Sequence, residues 1–257
     1  MKNSMKRFII FALTVIMVGS MCNVANASSE LKMSGKNQTT IGDDGVVGYF
    51  GNGEKKSVKF SLTVPSGTTT FYLQDIAAYT VTLINSAGKK VKTIKPEKSK
   101  EKRWSESTGQ EEYIYTINTG IKLSKGTYKV SIKAKTNLDG IMKIVTYNNK
   151  GGKIKFITDE NSGYTTIGVT KNKTYKFKIT VPKDGQYAIN SLITPYGTEN
   201  NAYIYPETKI TNAKGKKIAA LKRGGSGTKE IALKKGTYTI EVKVKNPGLL
   251  DVSLQQY

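Results

Sequence analysis

The chain has 257 residues and carries 41 Lys plus Arg against 19 Asp plus Glu, a formal charge of +22, with one cysteine and no histidine. Without histidine there is no Ser-His-Asp or Cys-His nucleophilic site, no imidazole base near neutral pH and no His-ligated zinc or haem. The remaining residues point to export, internal duplication and β structure.

In chain order, Lys2, Lys6 and Arg7 precede an apolar run from Phe8 to Val18, and the small residues Ala25 and Ala27 follow. That is the pattern of an export signal, and the run is too short to span a bilayer. Residues 1–27 are therefore expected to be removed, leaving a charge of +19 and no cysteine, because Cys22 goes with them. The mature chain then has no disulfide chemistry and no transmembrane segment. An alternative makes Cys22 a lipidated N-terminus. Gly19-Ser20-Met21-Cys22 resembles a bacterial lipobox, with Met21 where a small residue is usual and Gly19 where Leu is usual.

Three segments recur in the same order. Residues 58–65, Val-Lys-Phe-Ser-Leu-Thr-Val-Pro, match 175–182, Tyr-Lys-Phe-Lys-Ile-Thr-Val-Pro; 85–91, Asn-Ser-Ala-Gly-Lys-Lys-Val, match 212–218, Asn-Ala-Lys-Gly-Lys-Lys-Ile; and 121–128 match 231–238, both ending Lys-Gly-Thr-Tyr. Ordered repetition of this kind is the mark of a duplicated unit. The offsets of 117, 127 and 110 give the second copy about ten extra residues in its middle, near 191–206. They give the first about seventeen extra near 95–112, and both differences are expected between strands, where insertions are tolerated.

Val58, Phe60, Leu62 and Val64 alternate with polar neighbours, as do Tyr128, Val130, Ile132 and Ala134, then Tyr175, Phe177, Ile179 and Val181, then Tyr238, Ile240, Val242 and Val244. Period two buries one face of a strand and wets the other. Gly88, Gly126, Gly215 and Gly236 mark turns, Pro65 and Pro182 end strands, and no segment after residue 27 holds a helical period. The expectation is all-β: two tandem antiparallel β-sandwiches of jelly-roll type over residues 28–150 and 151–257, divided at Lys150-Gly151-Gly152-Lys153.

A first strand ending in Val-Pro, a strand leading into Asn-x-x-Gly-Lys and a late Leu-x-x-Gly-Thr-Tyr strand together resemble the bacterial pre-peptidase C-terminal domain, itself similar to the collagen-binding domain of clostridial collagenases. The resemblance covers both halves. It implies a jelly-roll-like sandwich, extracellular work beside a secreted enzyme, and calcium in some members. The aspartates that these families place ahead of the Asn-Gly turn are missing from 79–84 and 207–211.

Three features are candidates for function. Charge is shared evenly, +9 on residues 28–150 and +10 on 151–257, and would attract polyanions. The same lysines also solvate outward strand positions and block edge pairing. After the signal only Arg103 and Arg223 remain of the arginines. Nucleic acid is thus a less apt partner than an envelope or matrix polymer. The second feature is aromatic: Trp104, beside Arg103, falls in the extra segment of the first copy, and Tyr196, Tyr203 and Tyr205 in that of the second. Such residues stack on sugars or partner surfaces, or else cap the open ends of the sandwiches. The third is Asp43-Asp44 and Asp159-Glu160, at comparable places in the two copies, whose oxygens suit either calcium or an ordinary turn. No pair of carboxylates is placed for hydrolysis.

We read the chain as an exported, non-catalytic protein of Gram-positive type, extracellular or loosely envelope-associated, that binds anionic envelope polymers, glycans or matrix protein. The alternative is an accessory domain pair for a separately encoded secreted peptidase or glycan hydrolase.

Overall fold

The computed structural model describes residues 32–34, 40–42, 45–106, 108–197 and 203–257, so the export segment and the Asp43-Asp44 pair lie outside the described residues. The described chain is all-β with no helix, and so with none long and apolar enough to cross a membrane. The first copy contains β1 (Lys32–Ser34), β2 (Thr40–Gly42), β3 (Gly45–Val64), β4 (Gly67–Asp75), β5 (Tyr79–Asn85), β6 (Lys90–Ile94), β7 (Glu97–Ser105), β8 (Gln110–Leu123) and β9 (Gly126–Tyr147). The second contains β10 (Lys153–Ile154), β11 (Phe156–Ile157), β12 (Ser162–Val169), β13 (Lys173–Val181), β14 (Gly185–Pro195), β15 (Glu207–Asn212), β16 (Lys217–Leu221), β17 (Thr228–Leu233), β18 (Gly236–Val244) and β19 (Gly248–Gln256).

In the second copy these strands form two five-stranded layers, β10-β13-β18-β15-β16 and β11-β12-β19-β14-β17. In the first copy the two layers are joined into one nine-stranded sheet, because β3 and β9 run through both. Residues 57–64 of β3 pair with 126–133 of β9, which in turn pairs with β5. Past register shifts between Phe50, Lys55 and Ser57, residues 46–50 pair with the far end of β9, beside β4. The second copy breaks the same two strands at residues 170–172 and 245–247. Pro247 at the second break has no N–H to carry a ladder onward.

The duplication is visible in the register. Leu62 faces Tyr128 and Ile179 faces Tyr238; Leu83 faces Val130 and Ile210 faces Ile240; Gly67 faces Leu123 and Gly185 faces Leu233. The sequence offsets carry over the first two pairs, and the third follows once one residue is added after Val-Pro, where Ser66 is matched by Lys183 and Asp184. The recurring motifs have local reasons as well. Asn85 and Asn212 each accept backbone N–H groups through Oδ1 and close a turn whose glycine, Gly88 or Gly215, has a φ of +75° or +77°. The Tyr128 and Tyr238 hydroxyls donate to the carbonyls four residues upstream, at Ser124 and Lys234.

Two hydrophobic clusters follow, one drawn from residues 50–144 and centred on Phe60, Leu62, Phe71, Leu73 and Ile132, the other from 154–254 and centred on Phe177, Tyr187, Ile240 and Leu250. Each such side chain removed from water contributes about 1.5–3 kcal/mol. The boundary residues 150–153 lie against β13: Lys178 donates its N–H to the Gly152 carbonyl, and β10 pairs with β13 in parallel.

The unequal segments differ in kind. The described part of the second copy's excess between β14 and β15, residues 196–197 and 203–206, forms no strand pairing beyond an Ile193–Ile204 bridge. The excess of the first copy, expected between strands, is instead strand: β7 pairs with a lengthened β8. β4 reaches along β8 only to Tyr115, so the Lys102–Tyr113 to Ser105–Gln110 pairs form a two-stranded arm beyond it.

The copies meet where the outer face of β4 and β8 touches β12 and the β14–β15 connection. Thr68 Oγ1 donates to the Gly168 carbonyl at 2.9 Å, and the ring of Tyr196 lies on Gly120. A Cβ on Gly120 would come within 2.4 Å of that ring, and one on Gly168 within 2.5 Å of the Thr68 Cβ, so close approach requires glycine at both places. Gly120→Val should therefore loosen the contact while leaving both cores intact. Trypsin cleavage at Lys150 is expected to accelerate several-fold, and an unchanged rate would show that this contact does not hold the copies together.

Candidate functional site

The aromatic residues singled out in the sequence do not converge. Trp104 is 67 % exposed on the arm, opposite Glu111, with Arg103 opposite Glu112. Tyr113 on the same arm is covered by Lys98, whose Nζ lies 3.4 Å from the ring centroid, leaving Trp104 as the arm's open aromatic surface. Tyr196 is an inter-copy contact rather than a free ligand platform: its ring packs on Gly120, its hydroxyl is buried with no partner among the described residues, and burial raises its pKa. Tyr205 packs on Gly227. Tyr203 is 39 % exposed and lines a cleft on the second sandwich. Asp159 and Glu160 sit in the turn closed by the Asn161 N–H on the Thr158 carbonyl, and among the described residues no three His, Cys, Asp or Glu converge on a metal position.

Two surfaces are organised. The first is the outer face of β3, β9, β5 and β6 in the first sandwich. Alternation turns Lys59, Lys129, Lys133 and Lys90 outward among Ser57, Ser61, Thr63, Thr80, Thr82, Thr93, Thr127 and Ser131. The four lysines are exposed, and none of the described side chains on that face is acidic. The second sandwich supplies an internal comparison. Its equivalent face carries Lys176, Lys178, Lys209 and Lys243, but Glu241 and Glu207 stand where the first copy has Ser131 and Thr80. Lys176 pairs with Glu241 at 2.7 Å and Lys243 with Glu207 at 3.6 Å, and the hydrogen bond from Lys176 lowers the pKa of Glu241. Two of the four lysines on one copy of the face are offset by internal ion pairs, while the other copy is left uniformly basic.

The second surface is the outer face of β12, β19 and β14. Register sets its side chains in rows, Tyr164–Ser253–Asn190 and Thr166–Asp251–Leu192, with Thr194 and Tyr203 beside them. They line a cleft of about 120 Å³. At its floor Thr166 Oγ1 donates to Asp251 Oδ1. Burial pushes the Asp251 carboxyl up to about 6 against that hydrogen bond, and no charged group contributes to the shift. Asn190 Oδ1 is buried without a partner among the described residues.

No family model matches this chain, and no curated protein is similar to it. Among solved structures it overlaps the CUB1-EGF-CUB2 domains of human MASP-1/3 at 10 % identity and a TM-score of 0.25, covering 82 % of this chain and 99 % of that one. A secreted protein from Eubacterium rectale overlaps at 11 % identity and a TM-score of 0.25, covering 82 % of this chain and 73 % of that one. Tripeptidyl peptidase 2 overlaps at 11 % identity and 0.26, covering 89 % of this chain and 23 % of that one. None of these likenesses reaches the level at which two chains share a fold.

Sequence reasoning missed Asp251. Its signal was present in the duplication: the offset of 110 that aligns Tyr238 with Tyr128 also aligns Asp251 with Ile141. Both stand between buried neighbours on their own strand, Leu250 and Val252 in one copy, Gly140 and Met142 in the other. A polar residue replacing an apolar one at an equivalent position points to a requirement other than folding.

Proposed function

We propose that this chain is an exported, non-catalytic binding protein that holds anionic polymers of a cell envelope or matrix through the outer face of its first sandwich. The observation that supports the reading is the contrast between the two copies of that face: Lys59, Lys90, Lys129 and Lys133 stand over serine and threonine with no described acid, whereas Glu207 and Glu241 offset two of the four lysines of the other. Uniform positive charge draws polyanions from solution and raises their encounter rate. Lysine ammonium groups are compact, strongly hydrated charges, suited to a repeating anionic chain rather than to bidentate recognition of one group. Beyond roughly 8 Å the attraction is screened at physiological salt, so short contacts must supply the remainder. Trp104 on its protruding arm is the side chain suited to this, with about 1 kcal/mol available from a stacked aromatic.

The test is binding of heparin and of purified teichoic acid across a salt series. Changing Lys59, Lys129 and Lys133 together to serine should lower affinity more than tenfold near 0.1 M salt and reduce the salt slope by roughly one per lysine. A triple change at Lys176, Lys178 and Lys243 on the equivalent face should do much less. Trp104→Ala should lower affinity about fivefold at every salt concentration without moving the melting temperature. Equal effects from the two lysine triples would overturn the proposal.

A further inference from the structure

We infer that the cleft over Asp251 is a second and separate binding site, which takes a single neutral sugar ring whose hydroxyls donate to Asp251 and Asn190 between the rings of Tyr164 and Tyr203. The inference does not depend on the polyanion reading, since the cleft lies on the other sandwich and has the opposite charge.

The donor and acceptor inventory sets the ligand's chemistry. A carboxylate accepts at two oxygens, and among the described residues Asp251 receives only the Thr166 hydroxyl and Asn190 Oδ1 receives nothing. Buried acceptors left in this condition cost stability, and a ligand presenting hydroxyl donors satisfies them. Charge then narrows the class. An anionic ligand would meet Asp251 directly, with no lysine or arginine lining the cleft. A cation would have to approach through the field of a chain with formal charge +22, +19 without its first 27 residues. A neutral polyol meets neither barrier. The volume of about 120 Å³ is well below the range of about 300–1,000 Å³ typical for drug-sized ligands, which fits one ring or a chain end rather than an extended polymer. Leu192 and the two tyrosines give the apolar wall that a pyranose C–H face requires.

The fold does not explain these residues. The first sandwich has Ile141 for Asp251, Gln74 for Leu192 and Tyr72 for Asn190, in the same register. Its own buried acid, Asp75, is fully accounted for by the N–H groups of Ala77 and Asp139 on its two oxygens. The equivalent outer face of the first copy is where the second docks, through Thr68 and Gly120, so only the second sandwich keeps this face open.

The experiment is ligand-observed NMR on the full secreted chain with the methyl pyranosides of glucose, galactose, mannose and N-acetylglucosamine at pH 7.5. At least one should bind, and Asp251→Asn and Asn190→Ala should each weaken it at least tenfold. Asp251→Ile, which copies the first sandwich, should abolish binding. The serine triple at Lys59, Lys129 and Lys133 should leave it unchanged, which separates this site from the polyanion face. Among the described residues the titratable groups facing Asp251 are Tyr164 from β12 and Tyr203 from the β14–β15 connection, with none from β14. Binding should therefore weaken as pH falls through about 6, where the carboxylate becomes protonated. The inference is overturned if no glycoside binds, if binding survives Asp251→Ile in a folded protein, or if only calcium chloride or lysine methyl ester produces an Asp251-dependent response.

Discussion

Asp75→Ala should lower the unfolding free energy by about 3 kcal/mol, the largest single effect expected outside the apolar cores. Asp75 is 4 % exposed, and its Oδ1 and Oδ2 accept the N–H groups of Ala77 at 2.9 Å and Asp139 at 3.0 Å. One carboxylate thus ties the β4–β5 connection to the bend of β9, the strand that joins the two layers of the first sandwich. Alanine strands both amides, each at a cost of roughly 1–3 kcal/mol. Asparagine restores one acceptor but turns an NH2 toward the second donor, so Asp75→Asn should fall between alanine and wild type. The melting temperature of the alanine variant should drop by roughly 10 °C. A loss under 1 kcal/mol in urea unfolding would mean that water replaces the carboxylate without penalty and that the tie is not structural.

Asp251→Asn should act in the opposite direction, and only above a particular pH. Burial raises the folded-state pKa of Asp251 to about 6, above its ordinary value of 3.8. The folded chain therefore holds this proton more tightly than the unfolded chain does, and the associated stability is present at low pH and lost as pH rises from about 4 to 6. Asparagine can still accept the Thr166 hydroxyl and carries no charge to desolvate. At pH 7.5 the variant should gain about 1–2 kcal/mol, the full shift being discounted because the side chain is partly exposed. The gain should vanish at pH 4. Thermal melts at both pH values check this. A variant that is less stable at pH 7.5 would show that the ionised acid supports the sheet, whereas the expected gain marks a group kept at the expense of stability, as binding and catalytic groups commonly are.

Local chemistry accounts for what was legible in the sequence. Alternation at Val58–Val64 and Tyr175–Val181 dictates which face of each strand is buried, because side chains of a strand alternate whatever it pairs with. The Asn-x-x-Gly-Lys and Gly-Thr-Tyr motifs close their own turns through bonds spanning four residues or fewer. Duplication followed from ordered repetition alone, and with it the all-β class.

Pairing between distant segments decided the rest. Whether residues 95–112 formed a loop or a strand depended on pairing with the free edge of β8, and residues 97–105, mostly charged and exposed, carry no apolar alternation to report it. Tyr196 and Tyr203 are seven residues apart in one connection, yet one is held in the contact between the copies and the other lines the cleft, because Gly120 leaves room for the first ring only in the assembled molecule. The basic face needed Lys59, Lys90, Lys129 and Lys133 to be brought from three strands onto one surface, and the contrast with the second copy turned on Glu207 and Glu241 finding lysines across the sheet. Asp251 is one outward position among many in the sequence. Only the three-strand register, with Thr166 on one side, Leu192 on the other and, in the next row, an Asn190 Oδ1 unpartnered among the described residues, makes it the floor of a cleft.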